Sequence, residues 1–225
     1  MIYKVIRVIE LATLVVVGIL GIIFTASSSD FMGGASVFLF FTVQSNIFII
    51  AIALLFLINE LVSLFSKKSF INQILLHIKF VATVAITITF IVFFTMLAPL
   101  MGTDYLLSFN NFSLHAIVPI IAIVDFILFD TDIHLTYPKS LIGGAMPLYY
   151  VFFVYIGVPL NFQYGENLKF PYFFLDYEKN GFFLEKGFGV VFWIIAMLIG
   201  IFSLCFLFCF FIKLRQKAVA NKAKE

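Results

Sequence analysis

A chain of 225 residues that is 63% hydrophobic and only 12% charged cannot cover a water-facing surface of its own size, which excludes a soluble globular domain and makes lipid its natural solvent. A net charge of +2 is too small to point to nucleic acid as a partner. The 32 phenylalanines fit a lipid-facing aromatic surface, or a codon bias in which Phe stands in for Leu.

A spanning helix needs about 20 mostly apolar residues. Six stretches meet that need, roughly 6–25, 36–58, 75–98, 113–130, 140–160 and 189–212. The pattern predicts an all-α, polytopic membrane helix bundle, with residues 1–225 forming one six-helix transmembrane domain.

The first span follows Lys4 and Arg7, contains Glu10, and ends at Ala26-Ser27, which resembles a weak signal-peptidase site. Its length and its glutamate favour an uncleaved span. The second carries Thr42, Ser45 and Asn46 at i, i+3 and i+4, hence on one face, with Gln44 pointing elsewhere. The third has Lys79 near its start, then Thr83 and Thr87 on one face, where each can bond back to its own helix.

The fourth span holds His115 within its first turn, and Asp125. Asn111-Phe-Ser113 just before it matches a short glycosylation sequon. The loop after it offers Asp130, Asp132 and His134, but with no second ligand cluster these read as a solvated loop, and no metal site is expected. Gly143-Gly144 and Pro147 in the fifth span signal close packing or a kink. Cys205 and Cys209 in the sixth stack on one helix face as packed or lipid-facing thiols. No Walker motif, nucleophile elbow or zinc-protease helix is present, so no cofactor is expected.

Lysine and arginine placement orients the spans. Lys4, Arg7, Lys67, Lys68, Lys139, Lys213, Arg215, Lys217, Lys222 and Lys224 fall on one side. The first loop (Ser27 to Asp30) and the third (around Asp104) have no basic residue, and the fifth has Lys169, Lys179 and Lys186. This predicts a multi-pass cell-membrane protein with both termini in the cytoplasm. The fifth loop, with Lys169-Phe-Pro-Tyr-Phe-Phe-Leu-Asp-Tyr177, is too aromatic for a solvated linker. Its two readings are an interfacial anchor and a lid over an outward-opening site.

Polar groups in lipid are costly, so function is sought among them. Thr42 lies about 9 Å below the outer edge at 1.5 Å per residue, at the depth of His115. A His within hydrogen-bond reach can take the proton of a Thr hydroxyl as it attacks an acyl carbon, with Ser45 or Asn46 orienting the His or donating to an oxyanion. The alternative is interhelical hydrogen bonding, the ordinary use of Thr, Ser, Asn and His between membrane helices. Glu10, Lys79 and Asp125 form a second group toward the cytoplasmic ends of spans one, three and four. They read as an ion-pair cluster linking helices or as an acidic relay for transport, and Lys79 alone can snorkel to the headgroups.

Phe41-Thr-Val-Gln-Ser-Asn46, Leu114-His-Ala-Ile-Val-Pro119, Pro147-Leu-Tyr-Tyr150 and Phe170-Pro-Tyr-Phe-Phe-Leu-Asp176 followed by Gly181 together resemble a bacterial family of uncharacterised six-pass membrane proteins. That family is similar in layout to the androgen-induced, FAR-17a-like membrane hydrolases, which cleave fatty acid esters of hydroxy fatty acids. The resemblance runs from span one through span six. It implies Thr42 as nucleophile and His115 as base, acting on a lipid ester from the outer leaflet. One departure is that the hydrolase motif places its Asn three residues after the Thr, whereas Asn46 is four after Thr42.

Three functions therefore compete: an intramembrane Thr/His hydrolase of lipid esters, a small transporter or lipid-binding protein without catalysis, and a membrane scaffold whose short basic tail meets anionic headgroups. The spans show neither an inverted repeat nor a pair of short broken helices, which counts against the transporter.

Overall fold

The computed structural model describes residues 2–28, 34–66, 68–166 and 168–222. Of the features above, Asp30, Lys67 and Lys224 lie outside the described residues. Six helices are long and apolar enough to cross a membrane: α1 (Ile2–Ser27), α2 (Phe41–Ser66), α3 (Gln73–Leu100), α4 (Phe109–Phe129), α5 (Tyr137–Gly157) and α6 (Val190–Asn221). Among the described residues no strand forms, and β pairing is confined to an isolated bridge between Gly165 and Leu168.

Helices α1 to α4 close into a ring in which each packs on the next and α4 returns to α1. Helices α5 and α6 pack together on the outer side of α3. Helix α3 is thus covered from nearly every side, and Phe80, Ala82, Val84, Ala85 and Ile86 are all 0% exposed. The peripheral helices leave large apolar side chains outward, such as Val16, Phe152 and Ile199, which suits a lipid-facing surface.

Helix starts follow local chemistry. Asn72 caps α3 by accepting from the Leu75 amide, and Thr136 caps α5 by accepting from the Lys139 amide, with Pro138 in the first turn. The expected close approach at Gly143 is present. A Cβ there would lie 2.7 Å from Cys205 Sγ and 2.9 Å from Val84 Cγ2, so α3, α5 and α6 converge on that glycine. Cys205 and Cys209 are free thiols buried in this core, not facing lipid. Thr83 and Thr87 bond back to the carbonyls of Lys79 and Thr83, as their spacing suggests.

Two helices widen by one residue per turn. Phe93–Leu97 in α3 and Ser113–Ile117 in α4 are π-helical, and each is closed by an amide reaching five residues back, Ala98 to Phe93 and Val118 to Ser113. Each stretch ends two residues before a proline, Pro99 and Pro119. The ring of a helical proline collides with the carbonyl four residues earlier, which is Thr95 for Pro99 and His115 for Pro119. Widening the turn relieves that collision, so the two prolines account for where the helices open. Both openings lie beside the site described next.

Candidate functional site

Thr42 and His115 meet across α2 and α4, with Thr42 Oγ1 3.3 Å from His115 Nε2. The other ring nitrogen, Nδ1, lies 2.9 Å from the Asn111 carbonyl. A carbonyl only accepts, so Nδ1 carries the proton and Nε2 keeps its lone pair. The Thr42 hydroxyl then donates to Nε2, the orientation a base needs to receive its proton. Both side chains are half-buried.

The helix ends differ from the hydropathy pattern. Helix α2 starts at Phe41 because Gly34–Leu39 forms a separate 3-10 turn before it, and α4 starts earlier than expected, at Phe109. Thr42 therefore sits in the first turn of α2 and His115 in the second turn of α4. Ser45 and Asn46 do not touch the His ring. Ser45 Oγ bonds the Thr42 carbonyl at 3.0 Å and Thr89 Oγ1 at 2.7 Å. Asn46 Nδ2 donates to the carbonyls of Thr42, at 2.8 Å, and Leu114, at 3.1 Å. Asn46 thus straps the backbone beside the nucleophile candidate to the backbone beside the base candidate, a contact of the orienting kind, one of the two roles expected from sequence.

The fifth loop supplies what the sequence pattern left unassigned. Tyr164, Phe170, Phe174 and Leu175 are buried, so this part of the loop is folded into the bundle end, while Phe182, Phe183, Leu184 and Phe188 further along stay exposed. Tyr155 Oη donates to the Leu175 carbonyl at 3.2 Å, and Asp176 caps the short turn Tyr177–Asn180. This anchoring carries Tyr172 over the start of α2. Its oxygen accepts from the Phe41 and Thr42 amides, and with the Thr42 proton directed at His115 its O–H donates to Thr42 Oγ1. Burial holds that hydroxyl above the ordinary phenol range, against the lowering effect of the two amides, so it stays protonated and able to donate. Tyr150 Oη, close by, donates to the Leu39 carbonyl at 3.0 Å.

Two cavities meet at Thr42. The larger, about 230 Å³, lies between α3, α5 and α6, with apolar walls such as Ile88, Val92, Val151, Met197 and Leu198. Exposed Leu148 and Phe152 stand at its rim, on the outward face of α5. The smaller, about 70 Å³, is lined by Thr25, Asn110, Asn111, Met101 and His115. Thr42, Phe93, Leu97 and Tyr172 line both. His115 lines only the smaller.

At the other end of the ring a second polar group joins all four helices. Arg7 on α1 pairs with Glu60 on α2 at 3.2 Å, with Asp125 on α4 at 3.1 Å and with Asp130 at 2.5 Å. Lys79 on α3 pairs with Asp125 and, at 2.5 Å, with Asp130. The Lys79 ammonium also stands 4.2 Å from the Phe56 ring centroid. Lys79 and Asp125 therefore belong together as expected, and Lys79 does not snorkel. Glu10, half-buried, makes no direct ion pair among the described residues, but it interacts electrostatically with Asp125, Lys79 and Arg7 and so stands at the margin of the group. Arg7, three positions earlier on α1, makes the direct pairs. Asp130, expected in a solvated loop, is buried at the end of α4, with Asp132 and His134 beyond it. No metal-binding group occurs among the described residues.

Sequence reasoning missed Tyr172, Phe93 and Arg7. Pro99 and Pro119 were signals for the widened turns, and the aromatic run around Tyr172 was a signal for a packed loop. Comparisons with family models, curated proteins and solved structures give no match for this chain.

Proposed function

We propose that this multi-pass membrane protein is a hydrolase of lipid esters, with Thr42 as nucleophile and His115 as general base. The observation that carries the proposal is the 3.3 Å contact between Thr42 Oγ1 and the unprotonated Nε2 of His115, where a larger and a smaller cavity share their lining. In a dry packed core the same pair would be interhelical glue. Open volume on both sides gives an acyl carbon room to approach.

In this scheme Thr42 Oγ1 attacks the ester carbon while its proton passes to His115 Nε2. The C–O bond to the alcohol breaks, and Nε2 returns the proton to the departing oxygen. Water then attacks the acyl-threonine with His115 again as base, releasing the fatty acid. The oxyanion faces Tyr172, whose oxygen accepts from two amides at the α2 N-terminus and is thereby a stronger donor. The positive end of the α2 dipole adds to that stabilisation. The resemblance to the bacterial six-pass family and to the androgen-induced hydrolases supports the same pair, and the positive-inside count supports access from the outer leaflet.

The test is hydrolysis of a long-chain fatty acid ester by purified protein in lipid, compared with Thr42→Val and His115→Gln. The proposal expects both variants to fold and both to lose activity. A lipid-binding protein without catalysis would use the same cavity, bind the ester, and release no fatty acid in any form.

A further inference from the structure

The two cavities at Thr42 differ in size, polarity and access to the base, and this bears on which end of an ester goes where. The argument rests on the Thr42/His115 reading. A departing alcohol must receive its proton from His115 Nε2, so it must lie on the side of Thr42 that His115 faces. His115 lines the smaller cavity and is absent from the larger. The alcohol therefore leaves through the smaller cavity, and the acyl chain lies in the larger.

Volume and chemistry agree with that assignment. A dry cavity of about 150 Å³ accommodates benzene, or roughly 25 Å³ per heavy atom. On that scale the 230 Å³ cavity seats about nine acyl carbons, and the 70 Å³ cavity about three heavy atoms. The larger is walled by aliphatic and aromatic side chains, and exposed Leu148 and Phe152 at its rim let a longer chain run on into lipid. The smaller is also mostly apolar, with Val37, Phe40 and Leu114 in its wall, but it adds Thr25, Asn110 and Asn111 beside His115.

We infer that the substrates are esters of a long acyl chain with a small alcohol, and that the site rejects the reverse arrangement. Ethyl dodecanoate and dodecyl acetate are isomers of equal apolar content, so they partition alike into lipid and differ only in where the ester stands.

The experiment measures kcat/KM for both esters with purified protein reconstituted in phosphatidylcholine vesicles, beside Thr42→Val. The expected result is at least tenfold preference for ethyl dodecanoate, with the activity lost in Thr42→Val. Leu198→Trp, which fills the larger cavity, should shift the preferred acyl chain from dodecanoate toward hexanoate. Met101→Phe, which fills the smaller, should restrict the alcohol to methanol. Equal or reversed preference with Thr42-dependent turnover would overturn the sorting and leave the catalytic pair standing. Absence of Thr42-dependent turnover of either ester would overturn the catalytic reading and the sorting with it.

Discussion

Phe93 lies flat on the imidazole of His115, with ring centroids 3.8 Å apart and planes inclined by 22°. The stack and the Nδ1 contact to the Asn111 carbonyl fix the ring from two directions, leaving Nε2 aimed at Thr42. Phe93 begins the widened turn of α3 and His115 lies within that of α4, so the two irregular turns face each other through these rings.

Replacing Phe93 with Leu keeps an apolar group in the core but removes the flat surface. The variant should fold with stability within about 1.5 kcal/mol of the parent. Its kcat should fall about tenfold, because the imidazole then samples other rotations. Thermal unfolding and ester turnover on the same preparation separate the two effects. A large loss of stability with unchanged kcat would make Phe93 a packing residue only.

Pro119 offers the opposite separation. In Pro119→Ala the collision with the His115 carbonyl is gone, and α4 can return to an ordinary turn with one more backbone hydrogen bond. Stability should stay level or rise while activity falls about 100-fold, since a shift near 1 Å of the base is enough. Activity kept at the parent level would show that the widened turn does not set the His115 position.

The charge group at the far end is expected to act as a clamp. Lys79→Met leaves Glu60, Asp125 and Asp130 with Arg7 as the one nearby cation in the network. Breaking a buried pair costs about 3–5 kcal/mol, which corresponds to a fall in Tm of about 10 °C. Adding Asp125→Asn should restore part of the loss. An unchanged Tm in detergent for Lys79→Met would contradict the clamp.

The sequence carried the six spans because bilayer thickness alone demands runs of apolar residues. It also carried the equal depth of Thr42 and His115 and the grouping of Lys79 with Asp125, because polar side chains in lipid have few places to go, but the contact between Thr42 and His115 depends on how the helices turn toward each other. It did not carry the partners that depend on how loops return to the bundle. Tyr172 lies far along the chain from Thr42 and reaches it only because Phe170, Phe174 and Leu175 bury the loop. Arg7 looked like an end-of-helix charge, since nothing in α1 alone shows that Glu60 and Asp130 fold toward it. Glu10, one turn further along the same face, stays within electrostatic reach of the group without a direct partner among the described residues.

Alkaline pH tests the loop. Burial raises the Tyr172 hydroxyl and pushes that of Tyr164 up to about 12, above the value near 10 of an unfolded chain. The folded state thus holds these protons more tightly. The resulting stability is complete below about pH 10 and is lost as pH rises through the folded values. Tm should hold steady from about pH 7 to 9 and decline above 10, less steeply in Tyr164→Phe. Tyr172→Phe should lower kcat about 100-fold with little change in KM, as expected on removing one oxyanion donor. A matching rise in KM would place Tyr172 in ground-state binding instead.

The central claim is that His115 activates Thr42, and the most direct measurement is covalent. Purified protein in lipid is treated with an alkyl fluorophosphonate, which traps activated hydroxyls, and the adduct is located by peptide mass spectrometry. The account predicts an adduct on Thr42 that disappears in folded His115→Gln. A folded parent protein with no adduct on Thr42, or equal labelling with and without His115, would contradict it.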